Sequence, residues 1–392
     1  MINFNFQNPA KIIFGKGQIA KVGQEIKAFK ARNVLIVAGG GSIKKNGIYE
    51  AVVSSLKDSG ISWKEIWGVK PNPRLDKVRE GAEICKQENI DFILAIGGGS
   101  VIDTAKGIGV AAVNDRDVWD FYMGLSNDIP HCLPIGVVLT IPAAGSETSY
   151  ASVITNTDGD FKRGIHNNII IPKFAILDPE TTYSLPPYQT ACGASDILAH
   201  LMERYFTNVD HVDLTDRLIE GACMSIIRNS LIALENPRDY NARAEIMFTG
   251  TIAHNNLLDS GRIGDWGSHN IEHELSGTYD IAHGAGLSII FPAWMKYVWH
   301  VNPQKFMQFG ERVWGVAPDP EHPEIAIASM IARLESWYKQ LNLPTRLSEI
   351  GIDDSNFESM AERALVNREN GLGNLMKLNK QDIINIYNLA LK

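Results

Sequence analysis

An aspartate and four histidines are the side chains of this sequence whose types and spacing best suit a metal ion. Asp196 and His200 are four residues apart in the helical pattern ASDILAHLMERYF, so their side chains share one helix face. His269, His273 and His283 follow each other closely in a chain that has only 10 histidines. Imidazole and carboxylate ligands suit Fe²⁺ or Zn²⁺. The cluster predicts a site with three nitrogen ligands and one carboxylate.

The spacing of the later histidines requires a turn in the chain. On an unbroken helix, His269 and His283 would lie roughly 21 Å apart along the axis, too far for one ion. We expect the helix to end near Gly277, because glycine is common just after the last helical residue. His269 and His273 share one face of that helix, so spacing leaves open which of them joins His283.

Other polar residues near these positions have simpler interpretations. A DxxxH pair by itself is more often a solvated helix surface than a pair of ligands. Glu272 and Glu274 are interpreted as ordinary surface charges. His254 lies in a largely apolar helical pattern, which favours a core histidine with a satisfied hydrogen bond over a metal ligand.

Two glycine runs follow predicted strands and could bind a nucleotide. Glycines 97–99 and Ser100 lie between a strand at 92–96 and a helical pattern. Backbone N–H groups at such a junction favour a pyrophosphate. A tight turn would also favour glycine. The second run, 39–41, follows a strand at 34–38, where an adenosine ribose commonly lies, and this repetition favours the nucleotide interpretation.

The residues after the second glycine run bear on which nucleotide binds. Small residues and two lysines, Lys44 and Lys45, stand where an acidic residue would hold a ribose 2′-hydroxyl. Lysines at this position could admit a 2′-phosphate, which favours NADP(H) over NAD(H). The alternative is that both lysines belong to a solvated helix start.

Elements of two kinds must position these residues. In the first half, short apolar strands alternate with helices, which is typical of a parallel sheet covered on both faces. From Pro186 onward, the pattern is helical almost without interruption. We therefore predict an α/β dinucleotide-binding domain at 1–185 and an all-α metal-binding and substrate domain at 186–392. The predicted strands lie at 34–38, 63–69, 92–96, 133–142, 153–155 and 175–178, and the first helices at 47–58 and 75–88.

Composition excludes several other classes of protein. The 392 residues carry a formal net charge of −8, so no broad basic surface is available for nucleic acid. The 4 cysteines form no CxxC pair, and we expect no disulfides. The sequence shows neither a signal peptide nor an apolar run long enough to span a bilayer. We expect a cytoplasmic protein with no membrane partner.

Together these stretches resemble the iron-containing (group III) alcohol dehydrogenase family, most closely its bacterial NADPH-dependent butanol dehydrogenase and aldehyde reductase branch. The likeness covers nearly the whole chain and implies the dehydroquinate synthase-like architecture. The matching stretches are FGKG (14–17), GGGSIKKNG (39–47), KPNP (70–73), GGGSVIDTAK (97–106), LTIPAAGSETS (139–149), LDPE with YSLPP, the DxxxH helix, and GDWGSHNIEHELSGTYDIAHGAGL.

The resemblance also implies roles for individual residues. The metal ligands would be Asp196, His200, His269 and His283, which leaves His273 beside the substrate and the nicotinamide as the catalytic histidine. The implied cofactor contacts are Gly40, Gly41, Ser42 and Asn72 at the adenosine end, Gly98, Gly99, Ser100 and Asp103 at the pyrophosphate and nearby ribose, and Thr140, Ser149, Lys162 and Thr181 at the nicotinamide end. Many relatives carry an aspartate at the position of Gly40 and use NAD, so glycine there favours NADP. The segment PAAGSE at 142–147 is shorter than the family's PTTAGTGSE and lacks its threonines.

The implied function is hydride transfer between NADP(H) and short-chain primary alcohols or aldehydes such as butanol and butanal. The metal, Fe²⁺ or Zn²⁺, would polarise the substrate oxygen. A homodimer is expected, with the N-terminal segment pairing across a two-fold axis. The alternatives are an NAD(H)-preferring member, a lyase of the dehydroquinate-synthase type, for which no Lys and Arg cluster is apparent near the histidines, and a non-catalytic cofactor- or metal-binding protein.

Overall fold

Eight β-strands and fifteen α-helices occur in the computed structural model, which describes residues 1–126 and 128–392. The strands are β1 (Lys11–Phe14), β2 (Asn33–Ala38), β3 (Ser62–Ile66), β4 (Phe92–Gly97), β5 (Ile135–Leu139), β6 (Ala151–Asn156), β7 (Phe161–His166) and β8 (Phe174–Leu177). The helices before residue 186 are α1 (Val22–Ala28), α2 (Ser42–Lys45), α3 (Ile48–Asp58), α4 (Leu75–Gln87), α5 (Gly99–Ala111) and α6 (Val118–Tyr122). The later helices are α7 (Pro187–Tyr205), α8 (Asp213–Glu235), α9 (Tyr240–Ala253), α10 (Gly267–Tyr279), α11 (His283–Val298), α12 (Pro303–Trp314), α13 (Pro323–Gln340), α14 (Phe357–Ala364) and α15 (Lys380–Leu391).

Six of the strands form one sheet in the order β1-β8-β5-β4-β2-β3, and every pairing in it is parallel. Strands β4, β5 and β8 are buried at every residue. A parallel sheet has helices on both faces, so continuous apolar strands are expected rather than alternating ones. The predicted parallel α/β architecture is confirmed.

Successive side chains of the sheet enter two different cores. Leu35 and Val37 on β2 belong to the core that also contains side chains of α4 and α5. Val34 and Ile36 point to the opposite face, where α1 and α3 supply the partners. Each such fully buried aliphatic side chain contributes about 1.5–3 kcal/mol to folding. Burial on both faces fixes the sheet on which the glycine runs depend.

The strand order reverses direction between β2 and β4. The chain continues from β2 to β3 on one side of this point, and from β4 to β5 on the other. Residues 39–41 follow β2, and residues 98–99 follow β4. Ligands of open α/β sheets bind at the carboxyl ends of strands where the order reverses. The topology therefore brings both glycine runs to the part of the sheet best suited to a nucleotide.

Strands β6 and β7 form a separate antiparallel pair, in which Ala151 is opposite His166 and Asn156 is opposite Phe161. The sequence predicted a strand at 153–155 but left its pairing open. Strand β7, FKRGIH, was not predicted, because only Lys162 and Ile165 of its residues are buried. A short strand with so few apolar residues has no clear periodicity.

Helix α7 begins with Pro187, a residue favoured in the first turn because its missing N–H is not needed there. From Ser195 to Tyr205, every residue of α7 is buried. The helix packs against α8 and α11, and α11 packs in turn against α10. The DxxxH pair therefore lies in the protein interior rather than on a solvated helix surface.

The turn between α10 and α11 differs from the one expected. Gly277 lies inside α10, which continues to Tyr279. The helix ends at Asp280, whose φ of 52° is left-handed and whose N–H donates to the carbonyl oxygen of Ser276. Aspartate tolerates this conformation better than most residues. The helix ends two residues beyond Gly277 and α11 starts at His283, so the predicted turn is confirmed, although Asp280 and not the glycine follows the last helical residue.

Contacts divide the chain into two compact units. The α/β unit consists of Gln7–Leu185 with Pro237–Asn255, and the helical unit consists of Met1–Phe6, Pro186–Asn236 and Asn256–Lys392. Helix α9 thus belongs to the α/β unit despite its position in the sequence. The division into functional domains at 1–185 and 186–392 stays a prediction.

Among the described residues, none of the helices combines the length and the apolar character needed to cross a bilayer.

The four cysteines are all free, with Cys85 and Cys223 buried and Cys132 and Cys192 partly exposed.

Candidate active site

Three helices of the helical unit bring the predicted metal ligands together around one carboxylate oxygen. Oδ1 of Asp196 lies 2.9 Å from Nδ1 of His200, on the next turn of α7. It lies 4.0 Å from Nε2 of His269 on α10 and 3.8 Å from Nε2 of His283, the first residue of α11. The structure therefore brings ligand atoms of Asp196, His200 and His269 within 4.8 Å of one another, and Nε2 of His283 lies close to the same carboxylate oxygen.

The geometry of this cluster fits a metal ion. Two ligand atoms that each lie about 2.1 Å from one ion can be at most about 4.2 Å apart, and the distances from Oδ1 of Asp196 to Nε2 of His269 and of His283 fall within this limit. Nδ1 of His200 also contacts the Asp196 carbonyl oxygen at 2.8 Å, which leaves Nε2 of His200 for an ion. Oδ1 of Asp196 and Nε2 of His269 are buried and have no hydrogen-bond partner among the described residues. Buried polar atoms without partners are rare, and a bound ion is one explanation for them.

Electrostatics favours the protonation states that a metal needs. Burial acts to raise the pKa of Asp196, but the neighbouring His200 and His283 outweigh it and hold that pKa well below its usual range. Burial, with His200 and His283 nearby, lowers the pKa of His269 well below the ordinary value. The carboxylate is thus ionised and the His269 imidazole neutral, as metal ligands must be.

His273 lies beside the cluster but contacts different partners. Its ring centroid is 5.4 Å from that of His283, and ligand atoms of Glu272, His273 and His283 form a second group close enough for an ion. His273 is partly exposed, whereas His269 is buried. The four-residue set includes His269, and His273 is left as a partly accessible imidazole next to it.

Two buried glutamates contact the ligand histidines, and the sequence analysis missed both. Glu203 accepts a hydrogen bond from Nδ1 of His269 at 2.7 Å, and Glu272 accepts one from Nδ1 of His283. The interpretation of Glu272 and Glu274 as surface charges is wrong, since both side chains are buried. Spacing offered one signal, because Glu203 lies three residues after His200 on the same helix face.

Trp266 closes one side of the histidine cluster. Its ring centroid lies 5.4 Å from that of His269 and 5.9 Å from that of His200. Its φ of 64° is left-handed, a conformation that costs energy for a bulky residue. The guanidinium of Arg204 lies 4.8 Å from the indole centroid. The indole therefore packs against the rings of two predicted ligand histidines.

In the α/β unit, the junction of β4 and α5 leaves no room for side chains. A Cβ on Gly98 would lie 2.8 Å from Cβ of Ile141, and one on Gly99 would lie 3.3 Å from Cβ of Ala144. Helix α5 starts at Gly99 with Ser100 in its first turn. Backbone N–H groups at such a helix start can bind a phosphate.

Two predicted cofactor residues from distant parts of the sequence contact each other. Nζ of Lys162 on β7 donates to Oδ1 of Asn72 at 3.0 Å, and both side chains are buried. Asn72 has a left-handed φ of 52°, in the loop that follows β3. Asparagine tolerates this conformation, which the KPNP segment requires.

Asp103 and Lys106 on α5 stabilise the loop that contains PAAGSE. Oδ1 of Asp103 accepts from Oγ of Ser146 at 2.6 Å, and its Oδ2 accepts from the Val153 N–H at 2.9 Å. Nζ of the fully buried Lys106 donates to the carbonyl oxygens of Ser146 and Ser149 at 2.7 and 2.9 Å. Burial lowers the pKa of Lys106 to about 8. Asp103, predicted to contact the cofactor, is therefore also a structural residue of this loop.

The predicted nicotinamide contacts lie at the ends of β5 and β8 and in the same loop. The Thr140 N–H donates to the carbonyl oxygen of Gly97 at 3.0 Å. Thr181 donates from Oγ1 to the carbonyl oxygen of Leu139 at 2.9 Å. Oγ of Ser149 accepts from the Ala151 N–H at 3.0 Å. These hydroxyl-bearing residues are buried and fixed by backbone contacts.

The predicted adenosine end is open and lies beside an aromatic cluster. Gly40 and Ser42 are exposed, Gly41 precedes α2 with a φ of 98°, and a Cβ on Gly40 would meet nothing within 4 Å. Nζ of Lys44 lies 4.1 Å from the ring centroid of Trp67. This contact fixes the lysine against the Trp67 ring while its side chain stays exposed.

A parallel sheet with glycine loops where its order reverses is typical of a nucleotide-dependent enzyme, and a buried aspartate among imidazoles is typical of a metalloenzyme. Comparison with known proteins agrees with both features. The family model described as iron-containing alcohol dehydrogenase matches residues 9–179. The model for the C-terminal part of the Fe-containing alcohol dehydrogenase family matches residues 190–391.

The chain belongs to the iron-containing alcohol dehydrogenase family. It is similar to NADH-dependent butanol dehydrogenase A of Clostridium acetobutylicum, with 40% identity over 99% of both chains. It is 36% identical to NADPH-dependent aldehyde reductase YqhD of Escherichia coli, over 93% of both chains. The crystal structure of NADH-dependent butanol dehydrogenase A from Thermotoga maritima has a TM-score of 0.96 and 41% identity, covering 100% of this chain and 99% of that one.

The family assignment confirms the resemblance drawn from the sequence motifs. The protein is an oxidoreductase of the alcohol dehydrogenase class, and membership implies a metal ion and a nicotinamide cofactor. The named relatives include both NADH- and NADPH-dependent enzymes, so membership alone does not decide between the two nucleotides.

Proposed function

We propose that this protein is an NADP(H)-linked alcohol dehydrogenase and aldehyde reductase for short-chain primary alcohols and aldehydes such as butanol and butanal. Asp196, His200, His269 and His283 hold one divalent ion, Fe²⁺ or Zn²⁺. The observation that carries the proposal is the convergence of three imidazoles on Oδ1 of Asp196, with this oxygen and Nε2 of His269 buried and unpaired among the described residues. The butanol dehydrogenase and aldehyde reductase names of the relatives support the substrate class.

The chain's own residues have three tasks in this reaction. When bound, the ion supplies Lewis-acid polarisation of the substrate oxygen, and the nicotinamide supplies or accepts the hydride. The side chains of α7, α10 and α11 orient the ligand atoms, and Trp266 packs against the rings of two of the ligand histidines. One ring nitrogen of His273 holds the proton that the alcohol oxygen gains or loses, because an imidazole titrates near neutral pH.

The cofactor preference follows from the residues around Gly40. A glycine there leaves open space and contributes no carboxylate of its own that would repel a 2′-phosphate. Lys44 is exposed and its ammonium group lies over Trp67, where the Glu65 carboxylate also attracts it, so a 2′-phosphate would add a second anionic partner. The names of the butanol dehydrogenase relatives favour NADH instead, so the preference must be measured.

Two substitutions and one control test this preference. Lys44→Ala should raise the KM for NADPH about tenfold and leave that for NADH unchanged, since a hydrogen bond to a charged group is worth about 1.5–3 kcal/mol. Gly40→Asp should shift the ratio of kcat/KM toward NADH. The matched control is Lys57→Ala, at the exposed end of α3. The NADP(H) assignment is overturned if the wild type prefers NADH and Lys44→Ala leaves the KM for NADPH unchanged.

A substrate panel tests the activity itself. The absorbance of NADPH and NADH should be followed with straight-chain aldehydes of two to eight carbons, and with the matching alcohols in the reverse direction. Net oxidation of NADPH with butanal is expected. A lyase of the dehydroquinate-synthase type would regenerate its cofactor in each turnover and leave the absorbance unchanged, and that result would contradict the proposal.

A homodimer is the expected assembly. Strand β1 is at the edge of the sheet, and its Ile12 and Phe14 side chains are 37% and 40% exposed. Edge strands with exposed apolar side chains readily pair with another chain. Light scattering should give twice the chain mass for the wild type and a lower mass for Ile12→Lys. A monomeric wild type would contradict this assembly.

A further inference from the structure

We propose that Glu203 and Glu272 are positioning residues, each of which fixes the ring of one ligand histidine for the metal ion. The inference rests on the proposed set of ligands and adds to it a buried carboxylate behind His269 and another behind His283. Neither glutamate is placed in contact with substrate or cofactor. Each acts through the histidine that donates to it.

Glu203 accepts hydrogen bonds from the ring and the backbone of His269, and these contacts leave Nε2 of the ring free. Its side chain is fully buried, and Oε1 accepts from Nδ1 of His269 at 2.7 Å, from the His269 N–H at 3.0 Å and from Oγ of Ser268 at 2.6 Å. Because Nδ1 donates to a carboxylate, the remaining lone pair is on Nε2. That atom faces Asp196 and has no hydrogen-bond partner among the described residues.

Glu272 makes the equivalent contact with His283. Its side chain is also fully buried, and it accepts hydrogen bonds from Nδ1 of His283 and from Oγ of Ser276. Nε2 of His283 is again the atom nearest Asp196, at 3.8 Å. Two histidines on different helices are therefore held in the same tautomer by the same kind of partner.

Gly286 provides the space that the Glu272 carboxylate occupies. A Cβ at this position on α11 would lie 2.3 Å from Oε1 of Glu272. An alanine would therefore push the carboxylate away from its present position without changing its charge. This close approach explains why a glycine follows His283 by three residues inside a helix, where glycine costs stability.

The physical role of such a carboxylate is well defined. It selects the tautomer, fixes the ring orientation and raises the basicity of the nitrogen that binds the ion, and its loss typically costs about 10- to 100-fold in metal affinity. Both glutamates could instead serve packing alone. Glu203 in particular also accepts from the Trp266 N–H at the start of α10. The test must therefore measure the metal and not only stability.

The experiment measures the Kd for Zn²⁺ by competition with a chelator, and the visible spectrum of the Co²⁺-substituted protein. The variants are Glu203→Gln, Glu272→Gln and Gly286→Ala. The matched control is Glu220→Gln, since Glu220 is a buried glutamate of the same unit that pairs with Arg312 and Tyr205, away from the histidines.

We expect Kd to rise about 10- to 100-fold in the three variants, with an altered Co²⁺ spectrum, while Glu220→Gln loses thermal stability but keeps the wild-type Kd. If Glu203→Gln fails to fold, Glu272→Gln and Gly286→Ala still decide the matter. Wild-type metal affinity in those two variants, or an equal loss of metal affinity in Glu220→Gln, overturns this inference but leaves the proposed function standing. A wild-type protein that binds no divalent ion overturns the proposed function, and the inference with it.

Discussion

The histidine cluster of the helical unit and the glycine loops of the α/β unit are built in opposite ways. Around Asp196, the predicted function depends on side chains that are present, buried and held by further side chains. At Gly98 and Gly40, it depends on side chains that are absent, so that backbone N–H groups and open space are available. Removing an atom should therefore damage the first region, and adding an atom should damage the second.

The two regions also differ in how they are supported. Buried carboxylates, Glu203 and Glu272, contact the histidines directly. In the α/β unit, support comes from Lys106, whose ammonium group donates to carbonyl oxygens of the loop at 146–151. Charge thus orients side chains in one region and backbone in the other.

Asp196→Ala should have the largest effect of any substitution. It removes the oxygen on which three imidazoles converge, so bound metal should fall to near zero. Turnover should fall at least about a thousandfold, since Lewis-acid stabilisation is worth several kcal/mol. Metal analysis of the purified variant and steady-state kinetics measure both effects. The control is Asp213→Ala on α8, whose side chain is 74% exposed. Full metal occupancy in Asp196→Ala would contradict the ligand assignment.

His273→Ala should lower kcat by about a hundredfold without loss of metal, because general acid-base groups contribute about 10²- to 10⁴-fold. Loss of kcat without loss of metal would distinguish His273, which lies beside the cluster, from the histidines that bind the ion. Metal content and kcat should be measured on the same preparation. Unchanged turnover would exclude the proton-transfer role, and loss of the ion would make His273 a ligand.

Gly98→Ala should raise the KM for the nucleotide about tenfold, because the added Cβ would lie 2.8 Å from Cβ of Ile141 and the helix start must shift. Overpacking of this kind costs about 1–3 kcal/mol. Gly221→Ala on α8 is the matched control, since a Cβ there meets nothing within 4 Å and Gly221 is not a predicted cofactor contact. Equal nucleotide KM values for the two variants would show that backbone spacing at Gly98 is unimportant.

The smallest expected effect is a pH dependence of the free energy of unfolding that arises from Lys106. Burial lowers its pKa from 10.5 to about 8, so above pH 8 the folded protein binds fewer protons at this site than the unfolded chain does. The free energy of unfolding should therefore gain a contribution as pH rises from 8 toward 10.5, lose it as pH falls back from 10.5 to 8, and show none from this group below that range. Urea unfolding at several pH values should show a steeper rise for wild type than for Lys106→Met. Parallel slopes would contradict the prediction.

Much of the fold was predictable because its signal is local. Continuous apolar runs such as 34–38 and 92–96 identified the buried parallel strands, and the glycines after them indicated the nucleotide end. Strand β7 was missed because Phe161–His166 is mostly polar. The pairing of β6 was also open, since partner choice depends on contacts distant in sequence.

The candidate metal ligands were predictable as residue types, but their supporting groups were not. Helical spacing placed Asp196 and His200 together, yet it could not decide between His269 and His273, which share a helix face. Glu272 was interpreted as a surface charge because a glutamate is almost always exposed. Its burial depends on the space left by Gly286 on another helix, which no local pattern reveals.

Removal and return of the metal test the central claim most directly. The protein should be stripped with a chelator, freed of the chelator, and assayed for NADPH oxidation with butanal before and after addition of Fe²⁺ or Zn²⁺. The ligand cluster predicts no turnover in the stripped protein and recovery with at least one of the two ions. Full activity in protein shown to contain no metal, or no oxidation under any of these conditions, would contradict the account.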